Sequence, residues 1–240
     1  MRMDIQKRVE FIQGVLQDAG AGGIVYGNSG GKDSALVGIL CKKACDNTVG
    51  LIMPCGSQRN YETDRRDAET IAKQFGIAAR LVDLTDAKNA VVLAAGKETR
   101  LSDAAMANIA PRLRMAALYA VAASENALVA GTGNRSEGYM GYFTKWGDGA
   151  FDFNPIADLT VTEIYAMLRF LNAPDCIIDK APSAGLFDGQ TDEGEMGISY
   201  SSIDNFLLHG AAGARDKAIM EQFHKLSGHK RKMPLVFERS

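Results

Sequence analysis

The sequence predicts an α/β fold, a doubly wound parallel sheet with helices on both faces. Three observations carry that reading. Short apolar runs of strand length alternate with helical patterns. A glycine-rich turn follows the first of those runs and opens a helix. The 240 residues, 46 % hydrophobic and 23 % charged, can bury a full core without metals or disulfides.

Taken in order, Ile5, Val9, Ile12 and Leu16 recur at helical spacing, so 3–19 forms an amphipathic helix stopped at Gly20. A buried strand at 23–26 runs into the glycine turn, and 32–46 reads as the next helix. A second strand at 49–53 is stopped by Pro54. Residues 62–75 form a helix with a charged outer face, and 80–84 a third strand. Helical patterns follow at 86–95 and 103–124, then a fourth strand at 127–130 that enters Gly131-Thr132-Gly133. Parallel sheets bind ligands beyond the carboxyl ends of their strands, which singles out 27–34, 54–61 and 131–138.

Beyond 138 the texture changes. Residues 139–155 are rich in glycine, aromatic and charged residues, and a helix opened by Thr160 spans 160–172. The glycine-rich, acidic stretch at 183–200 reads as a mobile loop. Helices at 201–208 and 214–227 precede a basic tail, His229-Lys230-Arg231-Lys232. One domain over 1–240 with a C-terminal extension is expected.

Composition excludes several functions. Lys and Arg number 27 against 29 Asp and Glu, a net charge of −2, which is no footprint of a nucleic-acid binder. No apolar run approaches the roughly 20 residues of a membrane span. The polar N-terminus carries no secretory signal, so a cytoplasmic protein with reduced thiols is expected. The four cysteines form no CxxC pair and there are three histidines, so a Cys/His zinc site is not expected.

The first loop, Gly27-Asn28-Ser29-Gly30-Gly31-Lys32-Asp33-Ser34, has the makings of a phosphate cradle. Glycines bring backbone N–H groups close to an anion, the helix N-terminus adds partial positive charge, and Ser29 and Ser34 add hydroxyls. It is not the G-x-x-x-x-G-K-[ST] loop, because Tyr26 stands where glycine is required and Asp33 where Ser or Thr is. A carboxylate beside phosphates repels them unless a divalent cation lies between, so Asp33 predicts Mg²⁺. Ser-Gly-Gly-x-Asp-Ser resembles the pyrophosphate loop of ATP pyrophosphatases, which split ATP to AMP and pyrophosphate.

Further strings narrow the resemblance: Leu51-Ile52-Met53-Pro54, Asn108 with Arg112 and Arg114-Met115, the run from Gly131 to Glu137, Tyr142-Phe143-Thr144-Lys145-Trp146-Gly147-Asp148-Gly149, Pro182-Ser183-Ala184-Gly185-Leu186, Gln190-Thr191-Asp192-Glu193, Gly197-Ile198-Ser199-Tyr200 and His229-Lys230. Together they are similar to the ammonia-dependent NAD synthetases. The resemblance implies an adenine nucleotide α-hydrolase-like sheet. It also implies attack of the nicotinate carboxylate of deamido-NAD on the α-phosphate of ATP, followed by displacement of AMP by ammonia. It assigns ATP to Gly27, Asn28, Ser29, Gly30, Gly31, Lys32, Asp33, Ser34, Thr132 and Ser183. Deamido-NAD falls to Arg112, Lys145, Asp152, His229 and Lys230, and Mg²⁺ to Asp33 and Glu137. A homodimer is implied, with the apolar helices at 103–124 and 160–172 as candidates for the contact.

The chain departs from the pattern in two places. Many relatives carry Lys where Val161 follows Leu159-Thr160, and a basic residue where Ala110-Pro111 precedes Arg112. Lys32, Lys145 or Lys180 could supply the missing charge. Larger relatives carry a glutaminase domain with a Glu-Lys-Cys set. The sequence has no such segment, so free ammonia or a separate ammonia-supplying partner is expected. Two other readings remain open: an ATP pyrophosphatase acting on another carboxylate or a tRNA base, and a nucleotide sensor without catalysis.

Overall fold

The computed structural model describes residues 1–57, 60–180 and 191–237. Four parallel strands form one sheet in the order β3-β2-β1-β4: β1 Gly23–Gly27, β2 Thr48–Ile52, β3 Ala78–Leu81 and β4 Ala127–Ala130. The chain moves outward from β1 to β3, then crosses to the other side of β1 for β4. Register places Val25 opposite both Val49 and Val129 and Tyr26 opposite Ala130, so β1 and β4 end within one residue of each other at the switch point.

One face is covered by α1 Arg2–Ala19, α2 Lys32–Ala44, α3 Arg65–Phe75, α8 Val161–Phe170 and α9 Asp175–Ile178. The predicted stripe of Ile5, Val9, Ile12 and Leu16 is the buried face of α1, and Gly20 ends that helix with φ +62°. The other face carries α6 Ile109–Ser124, with α4 Thr85–Gly96 and α5 Asp103–Ala107 packed beside it. A third cluster joins α7 Arg135–Met140, α10 Asp192–Met196, α11 Tyr200–His209 and α12 Ala214–Leu226 to the start of α8, around Met140, Val161, Met196, Tyr200 and Met220.

Several boundaries differ from expectation. The third strand lies at Ala78–Leu81 rather than 80–84, because pairing with Val49–Ile52 sets its register. The pattern at 103–124 is two helices, broken at Asn108, whose side chain donates to Ala104 O and accepts from Thr144 Oγ1. A π-helical turn, Asn60–Asp64, precedes α3. Of the stretch expected to be a loop, 183–190 lies outside the described residues, and Asp192–Met196 is helical, capped by Thr191. The helix expected from 160 is α8, opened by a capping box between Thr160 and Glu163. It buries Val161, Ile164, Met167 and Leu168 within its own chain. Among the described residues no helix is long and apolar enough to cross a membrane. All four cysteines are free thiols.

Candidate active site

The site grows from two loops that leave the sheet at the switch point. After β1, Asn28 turns inward and donates from Nδ2 to Ala68 O at 3.0 Å, pinning the loop to α3. Gly30 follows with φ +70°, and a Cβ there would lie 2.3 Å from the carbonyl oxygen of Asp64. Only glycine fits that conformation and that approach. Ser34 Oγ donates back to Gly31 O at 3.0 Å and lies 3.1 Å from Ser29 Oγ, closing the loop onto the first turn of α2.

After β4, the loop Gly131-Thr132-Gly133 leads to Asn134, the N-cap of α7. Asn134 and Glu137 form a capping box: Glu137 N donates to Asn134 Oδ1 at 2.9 Å, and Asn134 N to Glu137 Oε2 at 3.0 Å. The same Asn134 donates from Nδ2 to Asp33 Oδ1 at 3.1 Å. The two predicted metal ligands, 104 positions apart in sequence, thus meet around one asparagine.

Their charges interact. Burial pushes the Glu137 carboxyl well above the usual range, and the Asp33 carboxylate adds to it, while Lys32 and the Asn134 N–H oppose. Lys32, 6 % exposed, places Nζ 2.7 Å from Asp33 Oδ2 and 5.4 Å from the centre of the Tyr200 ring. Burial alone would lower the Lys32 pKa, but Asp33 and then Glu137 more than reverse it, so its ammonium stays charged. Burial raises the Tyr200 phenol, with Glu137 and Asp192 adding to it, and that phenol donates to Asp192 Oδ2 at 3.0 Å.

A second buried cation braces the loop from behind. Lys180 Nζ donates to Asp64 Oδ1 at 2.8 Å, Asp67 Oδ2 at 2.7 Å and Gly30 O at 3.2 Å. Neither carboxylate nor the brace is foreseen in the sequence, since the pairing joins positions more than a hundred residues apart.

A cavity of about 800 Å³ extends from this loop, past Met53, Met115 and Thr132, to Phe143, Asp148 and Lys230. That volume suits nucleotide-sized ligands. Gly27, Asn28, Ser29, Gly31, Lys32, Asp33, Ser34, Thr132 and Glu137 line it. Lys230 lines its far end, donating to Gly141 O at 2.8 Å and Phe143 O at 2.7 Å. Lys145 lies next to it, with Nζ 2.9 Å from His229 O, and Arg112 Nη2 is 3.5 Å from Lys145 O. Asp152 stands apart, accepting from Val129 N at 2.7 Å and Tyr119 Oη at 3.2 Å. Ser183 lies outside the described residues.

Two further cavity residues, Arg114 and Asp192, sit in strings singled out in the sequence but have no assigned role there. Arg114 donates from Nε to Met53 O at 3.0 Å and so ties α6 to the end of β2.

A parallel sheet with its cradle at the switch point defines a nucleotide-binding protein of the adenine nucleotide α-hydrolase-like class. The sequence matches the family model of NAD synthase over residues 4–234, and the chain belongs to that family. It is 46 % identical to the NH(3)-dependent NAD(+) synthetase of Carboxydothermus hydrogenoformans, over 96 % of this chain and 95 % of that protein. Among solved structures, the NMN synthetase of Francisella tularensis superposes with a TM-score of 0.94 at 36 % identity, covering 99 % of this chain and 98 % of that one. The NH3-dependent NAD synthetase of Campylobacter jejuni does so with a TM-score of 0.81 at 30 % identity, with the same coverage.

Proposed function

We propose that this chain makes NAD from deamido-NAD, ATP and ammonia. The nicotinate carboxylate attacks the α-phosphate of ATP, pyrophosphate leaves, and ammonia displaces AMP from the acyl adenylate to give the amide. Adenylation is needed because a carboxylate is a poor electrophile. The single observation that carries the reading is the meeting of Asp33 and Glu137 beside a glycine cradle at the switch point.

The residues have simple tasks on this reading. The loop N–H groups and the α2 N-terminus hold the triphosphate, and Thr132 and Ser183 add hydroxyls. Arg112, Lys145, His229 and Lys230 suit the pyrophosphate and carboxylate of the acceptor, with Asp152 at the edge of that region. Asp33 and Glu137 fit a magnesium ion: they are two hard oxygen donors whose mutual repulsion a divalent cation relieves. Among the described residues no cluster of three or more acidic, His or Cys side chains forms a cage. A magnesium ion there would neutralise charge on the phosphates.

The test is incubation with ATP, Mg²⁺, deamido-NAD and ammonium, with NAD, AMP and pyrophosphate measured together. ADP formation, or no NAD, would sink the proposal. The superposition on an NMN synthetase favours a second reading, in which the acceptor is the mononucleotide. The same chemistry serves both, so nicotinate mononucleotide is run in parallel, and the higher kcat/KM names the substrate. Ammonia reaches the site free or from a separate supplying enzyme.

A homodimer is supported by α6, whose Ala116, Ala120 and Ala123 form an exposed stripe of small side chains beside the half-buried Met115 and Tyr119. The helix named with it in the sequence, α8, instead buries its apolar side in its own chain. Ala120→Arg should convert a dimer to a monomer in light scattering; a dimer that persists would remove α6 from the contact.

A further inference from the structure

We propose that Asp204 is a positioning residue for Glu137, holding α7 through Ser136 so that the Glu137 carboxylate keeps its place beside Asp33. The inference rests on the reading of Asp33 and Glu137 as the metal pair.

Glu137 lies in a helix of six residues, Arg135–Met140, which is too short to be stable by itself. Its carboxylate accepts from the Asn134 N–H, so its position is that of the first turn of α7. Each of the three residues before it is tied outward. Asn134 donates to Asp33 Oδ1. Arg135 donates from N to Leu159 O at 2.8 Å and from Nη2 to Leu207 O at 3.1 Å. Ser136, fully buried, donates from Oγ to Asp204 Oδ1 at 2.6 Å. The other Asp204 oxygen accepts from Thr162 N at 2.7 Å and from Thr162 Oγ1 at 2.6 Å. A buried carboxylate is costly without such partners, and a fully satisfied polar network is rigid. This one locks the first turns of α7 and α8 to the middle of α11.

The same helix holds a second acidic residue of the cavity wall. Tyr200 donates from Oη to Asp192 Oδ2 at 3.0 Å, and both Asp192 and Glu137 line the cavity. Residues 200 and 204 are four apart, so they share one face of α11. Asp204 itself lies behind the wall, 2 % exposed, and acts on it through Ser136.

The test is titration of the full chain with Mn²⁺ alone, the free ion counted by electron paramagnetic resonance, for wild type, Ser136→Ala, Asp204→Ala, Asp204→Asn and Thr162→Val. Melting curves establish that each is folded. Ser136→Ala and Asp204→Ala should each weaken Mn²⁺ by about tenfold, the lower end of what the outer partners of a metal ligand supply. In Ser136→Ala, kcat should fall by a similar factor while KM for ATP stays within about twofold. Asp204→Asn should bind Mn²⁺ within about twofold of wild type, because its amide can donate to Ser136 Oγ and accept from Thr162. Thr162→Val loses one hydrogen bond to Asp204 on the α8 side; it should melt lower and keep its Mn²⁺ affinity. A folded Ser136→Ala variant that binds Mn²⁺ as wild type does would overturn the proposal. So would a Thr162→Val variant that loses as much affinity as Asp204→Ala, since the effect would then lie in the α8 cap. Equal Mn²⁺ binding by wild type and Glu137→Gln is a different result, since it removes the metal-pair reading itself.

Discussion

Asn134 donates from its side chain to Asp33 across 101 residues of sequence, and its backbone N–H donates to the Glu137 carboxylate in the same turn. One side chain thus caps α7 and fixes the separation of the two acidic groups. The two roles can be parted. Asn134→Ser keeps an N-cap oxygen but is too short to reach Asp33, so thermal stability should change by less than about 0.5 kcal/mol. Its kcat should nevertheless fall by about a hundredfold, the scale of a 1 Å misplacement at a reacting centre. Asn134→Ala should add a cap loss of about 1 kcal/mol. Steady-state NAD formation and melting curves check both variants; a serine variant with wild-type turnover would show that Asp33 needs no tether.

The approach of Gly30 to Asp64 makes a second prediction with a built-in control. Gly30→Ala must bear the left-handed conformation, about 1–2 kcal/mol, and also displace a backbone oxygen 2.3 Å away. ATP binding should be lost, because the loop must move. Gly76→Ala has φ +64° with nothing within 4 Å of the new Cβ. It should lose similar stability and bind ATP normally. Calorimetric titration of ATP against both variants separates strain from site geometry; equal affinities would mean the loop tolerates the shift.

Lys180 stands behind that loop with two buried carboxylates and the Gly30 carbonyl on one ammonium. Its side chain is 15 % exposed and those of Asp64 and Asp67 are 12 % and 6 %. Removing one partner of a buried ionic group strands the others, so Lys180→Met should cost about 3–5 kcal/mol in urea unfolding. The triple variant D64N/D67N/K180M, with no stranded charge, should regain most of it. A triple variant no more stable than Lys180→Met would locate the cost in lost packing instead.

These positions show what the sequence discloses and what it withholds. The β1–turn–α2 unit is legible because its signals are local: a buried apolar run, glycines and a serine-rich turn lie within a dozen residues. The helix α7 is not among the predicted elements, because Arg135–Met140 is too short to show apolar periodicity, although its capping pair, Asn134 and Glu137, lies three apart in the sequence. The strand β3 is misplaced by two residues because Ala78 and Ala79 have little strand character, and partner strand β2 decides instead. The break at Asn108 depends on Thr144, and the Lys180 brace on Asp64 and Asp67. Such partners are brought together only by the fold. Local chemistry therefore reveals the cradle, while the parts that hold the cradle rigid stay hidden.

The remaining prediction concerns acid. Arg8 of α1 grips Asp158 with Nη1 and Nη2 at 2.6 and 2.8 Å, and donates to Pro155 O at 2.6 Å, tying α1 to the segment between α7 and α8. The hydrogen bond from Arg8 holds the Asp158 carboxyl below its ordinary 3.8, against burial, with the Arg8 charge adding to it. A carboxylate depressed on folding contributes stability that is fully present above its unfolded pKa and fades as pH falls through its folded one. The contribution should therefore be constant from pH 7 to about 5 and disappear below about 3. Because the Asp158 side chain is 69 % exposed, solvent screening keeps it below about 1 kcal/mol. Urea unfolding of wild type and Asp158→Asn at pH 7, 5 and 2.5 measures it. Wild type should lead the variant at the two higher values and match it at the lowest; a lead that persists in acid would mean the grip depends on shape and hydrogen bonding rather than on the carboxylate charge.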